Sequence, residues 1–107
     1  MRILFDQGTP VPLRKLLGSP HKVETAFERG WSTLKNGDLL AAAQREGFEV
    51  FVTTDRNLRY QLNPGVWTIA IVVLESTSWP RIQKAATAVK HAIDTALPAS
   101  YKEVKIP

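Results

Sequence analysis

Strand-like and helix-like patterns alternate along the whole chain, which predicts an α/β fold: a three-layer α/β/α arrangement with a mainly parallel sheet of about five strands. Two of the observations behind this are the runs Val50-Phe51-Val52 and Ile69-Ala70-Ile71-Val72-Val73-Leu74. Both are continuously apolar and too short for buried helices, as strands covered on both faces are. The third is that Asp6 and Asp55 each come just after such a run, and in open α/β sheets ligands bind at the carboxyl ends of strands.

Taken in order, Arg2-Ile3-Leu4-Phe5 gives out into Asp6-Gln7-Gly8, a central strand entering a loop. Thr9 is placed to cap a helix whose first turn accepts Pro10 and Pro12, because the leading N–H groups of a helix have no internal partner. Leu13, Leu16 and Leu17 share one face of that helix, and Gly18-Ser19-Pro20 stops it. A second strand is expected over 21–26, with Val23 and Thr25 on one face and Lys22 and Glu24 on the other. Residues 27–37 form a long polar, basic and aromatic connection, a candidate substrate loop.

Asn36-Gly37-Asp38 opens a second helix over 39–46, driven by Leu39-Leu40-Ala41-Ala42-Ala43 and capped by Gly47. Asp38 then lies in its first turn, beside the positive end of the helix dipole. Strand three over 48–53 leads to Asp55. One or two helical turns are expected over 57–63, ended by Asn63-Pro64-Gly65, and strand four over 67–74 is the hydrophobic centre of the sheet.

Ser76-Thr77-Ser78 caps the longest helix, with Pro80 in its first turn and Ile82, Ala85, Ala86, Val89, Ile93 and Ala96 on one stripe. Pro98 follows its end. The tail alternates, Val104 and Ile106 against Glu103 and Lys105, and suits an edge strand. The helix-containing crossovers are expected to be right-handed.

The chain has 107 residues, which fits one domain over 1–107. It has no cysteine, so disulfides, thiolate metal sites and cysteine nucleophiles are excluded together. No apolar run reaches membrane-spanning length and the first residues do not read as a secretory signal, so a soluble, cytoplasmic protein is expected. Fourteen Lys and Arg against ten Asp and Glu leave a net charge of +4, which permits a polyanionic partner.

Three carboxylates gathered at one end of a sheet repel one another unless a cation lies between them. An oxygen-only set made of Asp6, Asp38 and Asp55 suits Mg2+ or Mn2+. Such an ion lowers the pKa of a bound water and stabilises charge on phosphorus, which is the chemistry of phosphodiester hydrolysis. Each acid also has an ordinary structural reading: a turn former for Asp6, a helix amino-terminal acid for Asp38, and turn chemistry for Asp55 with Asn57. Their joint placement is what points to a site.

The stretch Asp38-Leu39-Leu40-Ala41-Ala42-Ala43, then Gly47-Phe48, then Val52-Thr53-Thr54-Asp55-Arg56-Asn57-Leu58 resembles the PIN-domain pattern. There an acid opens an Ala-rich helix and a strand leads to Thr-x-Asp-x-Asp-Phe. The opening Leu4-Phe5-Asp6-Gln7 before a Pro-containing helix is similar to short bacterial PIN-like proteins, many of them toxin components encoded beside a small antitoxin. The resemblance implies an Mg2+- or Mn2+-dependent ribonuclease in which Asp6, Asp38 and Asp55 hold the metal and an activated water attacks the phosphorus. It implies RNA as substrate and, as partners, a small antitoxin and a second copy of the chain in a homodimer.

A PIN site commonly has a fourth acid, and Glu24 is a better stand-in than Glu28. Thr53 belongs to the Thr-x-Asp segment. Asn57 stands where the fuller pattern has Asp and can orient a water without adding charge. A PIN-like module that binds an antitoxin or another protein without cutting RNA is therefore the alternative. Arg29, Lys35, Arg56 and Arg59 flank the site and can contact phosphates, while Trp31 and Tyr60 either stack on unpaired bases or pack against the core.

Trp67 and Trp79 read as structural, His91 as exposed, and His21 as lacking an evident partner. A phospho-acceptor receiver domain also has acids after its first and third strands and a hydroxyl, here Ser76 or Thr77, after the fourth. It usually has two adjacent acids where this chain has Asp6-Gln7, and it leaves Asp38 without a role.

Overall fold

Every residue of Val50-Phe51-Val52-Thr53 and of Ala70-Ile71-Val72-Val73-Leu74 is buried, so both segments need cover on two faces. The computed structural model, which describes residues 1–62 and 67–107, supplies that cover. Its order is β1 (Arg2–Phe5), α1 (Leu13–Leu17), β2 (Lys22–Thr25), α2 (Asn36–Arg45), β3 (Val50–Thr53), α3 (Leu58–Gln61), β4 (Ala70–Leu74), α4 (Trp79–Lys84), α5 (Ala86–Asp94) and β5 (Tyr101–Val104). The strands form one sheet, ordered β2-β1-β3-β4-β5, and every pairing is parallel. The architecture is three-layer α/β/α.

Side chains alternate across the sheet into two cores. On one face Ile3, Phe5, Val50, Val52, Val72 and Leu74 meet Leu13 and Leu17 of α1 and Ile82, Val89 and Ile93 of α4 and α5. On the other, Leu4, Phe51, Ile71 and Val73 meet Leu39, Leu40 and Ala43 of α2 and Leu58 of α3. Val104 and Ile106 are both buried against the first face, as the alternation of the tail predicts. Trp79 packs at the margin of the first core, and Trp31 and Trp67 at the margin of the second.

One topological expectation fails. The β1–α1–β2 and β4–α4–α5–β5 connections run toward opposite edges of the sheet but lay their helices on the same face. The two connections therefore have opposite hands, against the strong right-handed preference. The reason lies in burial: α2 and α3 already fill the other face, and α1, with five residues, is too short to cover β3 and β4.

Local details shift as well. Thr9 does not cap α1, which starts behind Pro12; its hydroxyl donates to the Val52 carbonyl at 3.1 Å. Leu16 is exposed, not part of the core. The last helix is two segments that meet at Ala85, and Ser78 does cap the first, accepting from the Arg81 N–H. The stop signal Asn63-Pro64-Gly65 lies outside the described residues. Among the described residues no helix is long and apolar enough to cross a membrane.

Burial separates two phenylalanines. Phe51 is fully buried and Phe27 is 76% exposed. Urea denaturation is expected to show that Phe51→Ala costs about 3–5 kcal/mol and that Phe27→Ala changes stability by less than about 0.5 kcal/mol.

Candidate active site

β1 and β3 are adjacent and parallel, and they end side by side at Phe5 and Thr53. From β1 the chain moves outward to β2 before returning to β3. This is the switch point of the topology, where open α/β sheets bind ligands. Asp6 and Asp55 stand there.

A single hydroxyl ties them together. The buried Thr53 Oγ1 donates to Asp6 Oδ2 at 2.8 Å and accepts from the Asp55 N–H at 3.1 Å. Asp6 Oδ1 accepts from the Gln7 N–H at 2.8 Å, and the Asp6 N–H donates to Val52 O at 2.9 Å. Asp55 Oδ1 accepts from the Asn57 N–H at 3.0 Å, and Oδ2 accepts from Asn36 Nδ2 at 2.6 Å. Each carboxylate oxygen retains a free lone-pair direction.

The loop after β1 is seated tightly. A Cβ on Gly8 would lie 2.6 Å from Thr54 Oγ1, so a larger residue there requires the Thr54 side chain to move for the Asp6–Thr9 turn to close over the end of β3. Asn36 reaches Asp55 because α2 begins at Asn36 with its amino end at this edge. Asn36 Nδ2 also donates to Gln61 Oε1 at 3.3 Å, joining α2 to α3. Asp38 is exposed in the first turn of α2. Among the described residues no three acids or histidines gather closely enough to form a metal cluster by themselves.

The other expected residues divide. Glu24 is engaged with Arg2 at 3.6 Å and Arg29 at 3.5 Å. Arg29 also pairs with Glu46 at 2.8 Å and lies over the rings of Trp31 and Phe48, and Trp31 meets Phe48 edge-on. Arg29 and Trp31 thus fasten the 27–37 connection to the end of α2. Arg59 bridges Glu103 at 3.1 Å and the Tyr60 hydroxyl at 2.7 Å, and both contacts raise its pKa, the Tyr60 hydrogen bond foremost. Lys35 and Arg56 are exposed and, among the described residues, form no ion pair. Tyr60 is 73% exposed.

Asp6 also lines a cavity of about 560 Å³, together with Val11, Arg14, Thr25, Phe27 and Glu28. Of the apolar groups here, sequence points only to Phe27, the first residue of the 27–37 connection. The one local signal is a phenylalanine directly after a strand, within a polar connection. Glu28 is fixed by Arg14 at 2.7 Å and by the Thr25 N–H at 2.9 Å, and Thr25 Oγ1 accepts from the Glu28 N–H at 3.0 Å, a reciprocal cap. His21 does have a partner, Asp94, at 2.6 Å. His91 is exposed.

Compared with protein-family models, curated proteins and solved structures, the chain matches none.

Two outcomes follow from this geometry. Gly8→Ala is expected to lower the thermal midpoint by forcing Thr54 away, whereas Gly37→Ala in α2, where a Cβ meets nothing within 4 Å, is expected to raise stability by up to about 1 kcal/mol. The Glu28 pKa is held below its usual value, first by Arg14 and then by the Thr25 N–H. The stability this contributes is complete above pH 4.5, the ordinary value, and is lost as pH falls through the lowered folded value. Thermal midpoints measured below pH 4.5 should therefore fall less steeply in Arg14→Gln than in the wild type.

Proposed function

We propose that the chain is a metal-dependent ribonuclease of PIN-like type, acting as the toxin component of a toxin-antitoxin pair. The observation that carries this reading is the pinning of Asp6 and Asp55 onto one buried hydroxyl at the carboxyl ends of adjacent strands. Mg2+ takes one or two protein carboxylates and completes its shell with waters and substrate phosphates, so this oxygen pair fits Mg2+ or Mn2+. When bound, the ion supplies water activation and charge neutralisation at phosphorus.

The chain's own residues do the positioning. Thr53 orients Asp6, and Asn36 and the Asn57 N–H orient Asp55. Asn57 thus serves the site through its backbone, where the PIN-like pattern has a carboxylate. Asp38, two residues beyond Asn36, adds negative charge at the same edge. Lys35 and Arg56, free of ion pairs among the described residues, suit phosphate contacts, which carry no base information. Phe27 and Tyr60 offer exposed rings on which unpaired bases stack.

The strand order also favours a second reading. β2-β1-β3-β4-β5 is the order of flavodoxin-like and receiver folds, and Ser76 and Lys105 follow β4 and β5, but the opposite hands of the first and last connections depart from those folds. Covalent labelling by a small phosphodonor, abolished in Asp55→Asn, would establish it in place of the nuclease.

The deciding assay is cleavage of single-stranded RNA with Mg2+ or Mn2+ and with chelator. Thr53→Val is expected to reduce cleavage about 10–100-fold, the usual effect of losing a group that orients a metal ligand. Asp6→Asn, Asp38→Asn and Asp55→Asn should each lose more than Thr53→Val. Phe27→Ala should raise KM about tenfold with kcat unchanged, in line with the loss of one stacked base. Cleavage that survives all three Asp substitutions removes the proposed site, and a chain that cuts nothing yet binds an antitoxin tightly is a binding module.

A further inference from the structure

We infer that the groove between the α4–α5 bend and the end of β5 binds the phosphate backbone of a nucleic-acid strand, at a site separate from Asp6 and Asp55. This site rests on the reading of RNA as substrate. Helix α4 ends at Lys84 and α5 begins at Ala86, with the Ala85 N–H returning to the Arg81 and Ile82 carbonyls. The small side chains at this bend leave a groove of about 700 Å³ into which Arg81, Lys84, His91 and Lys105 project.

The charge in the groove is uncompensated. Arg2, Arg14, Arg29, Arg59 and Lys90 each pair with a carboxylate. Among the described residues Arg81, Lys84 and Lys105 do not, and no acid lines the groove. Three like charges around one concavity repel until an anion enters it. A groove of this volume holds a nucleotide-sized ligand, and its small apolar residues, Ala85 and Ala88, suit sugar and base edges between phosphates. Lys105 directly follows β5, so the groove opens at the carboxyl edge of the sheet, the edge that carries Asp6 and Asp55.

The test is fluorescence anisotropy of labelled single-stranded RNA, in chelator and across salt concentrations, with the full chain. Neutralising three phosphate contacts should flatten the slope of log K against log salt by about 2, and so weaken binding about 100-fold at 0.1 M salt, in Arg81→Gln/Lys84→Gln/Lys105→Gln. Circular dichroism of that variant reports its fold. Should it not fold, Arg81→Gln and Lys105→Gln alone should each remove about 0.7 of the slope. An unchanged slope overturns the site, as does equal binding to phosphatidylserine vesicles with none to RNA. Wild-type chain that binds RNA through the groove but cuts none with Mg2+ or Mn2+ leaves the groove standing and removes the nuclease.

Discussion

Two-sided burial of β1, β3 and β4 is the constraint on which the rest of the structure depends. Parallel strands that are apolar at every position require helices on both faces, and β3 and β4 have no exposed position at all. One face is closed by α2 and α3. The other needs more than the short α1, and α4 with α5 returns across it through a connection opposite in hand to β1–α1–β2. Fully burying large side chains such as Ile82, Val89 and Ile93 contributes about 1.5–3 kcal/mol each, enough to override a preference of connection geometry.

The same constraint expels polar chemistry to the edge where the strands stop. Thr53 shows how abrupt the change is: its backbone belongs to the buried strand, and its hydroxyl is the first polar side-chain group beyond Val50-Phe51-Val52. Shielded from water, that hydroxyl cannot remain unpaired without a penalty, so it takes one carboxylate as acceptor and one backbone N–H as donor. Two acids that would otherwise sit on independent loops become one rigid unit. Gly8 and Asn36 close it from the β1 loop and from α2.

Charge is distributed unevenly over this frame. Arg2, Glu24, Arg29 and Glu46 knit the edge strand β2 to the end of α2 around Phe48 and Trp31, and Arg14 with Glu28 ties α1 to the connection after β2. Most of these side chains are substantially exposed, so each pair contributes modestly and serves more to orient loops than to stabilise them. Among the described residues the cations outside ion pairs include Lys35 and Arg56 near the proposed site and Arg81, Lys84 and Lys105 in the groove beside α4, with Lys15, Lys22, Arg45 and Lys102 elsewhere on the surface. Part of the positive charge behind the net +4 thus lies close to the proposed site and in that groove.

The sequence alone determined the α/β class, the five strands, a helix cap within Ser76-Thr77-Ser78 and the placement of Asp6 and Asp55 at strand ends, because each rests on periodicity or on preferences acting over a few residues. Only the tertiary structure decided the strand order, the opposite hand of the last connection, and the company each side chain keeps. Glu24 and Arg29 read as site residues by proximity in sequence and Trp31 as either a stacking ring or a core ring; the structure adds partners on β1, at the end of α2 and at Phe48. His21 looked solitary until α5 brought Asp94 to it from 73 residues away. Phe27 could be known as exposed, and Thr53 as the joint between two acids, only once β1, β2 and β3 were laid side by side. Pairing between strands follows from which faces are left to cover, and no local window of sequence contains that information.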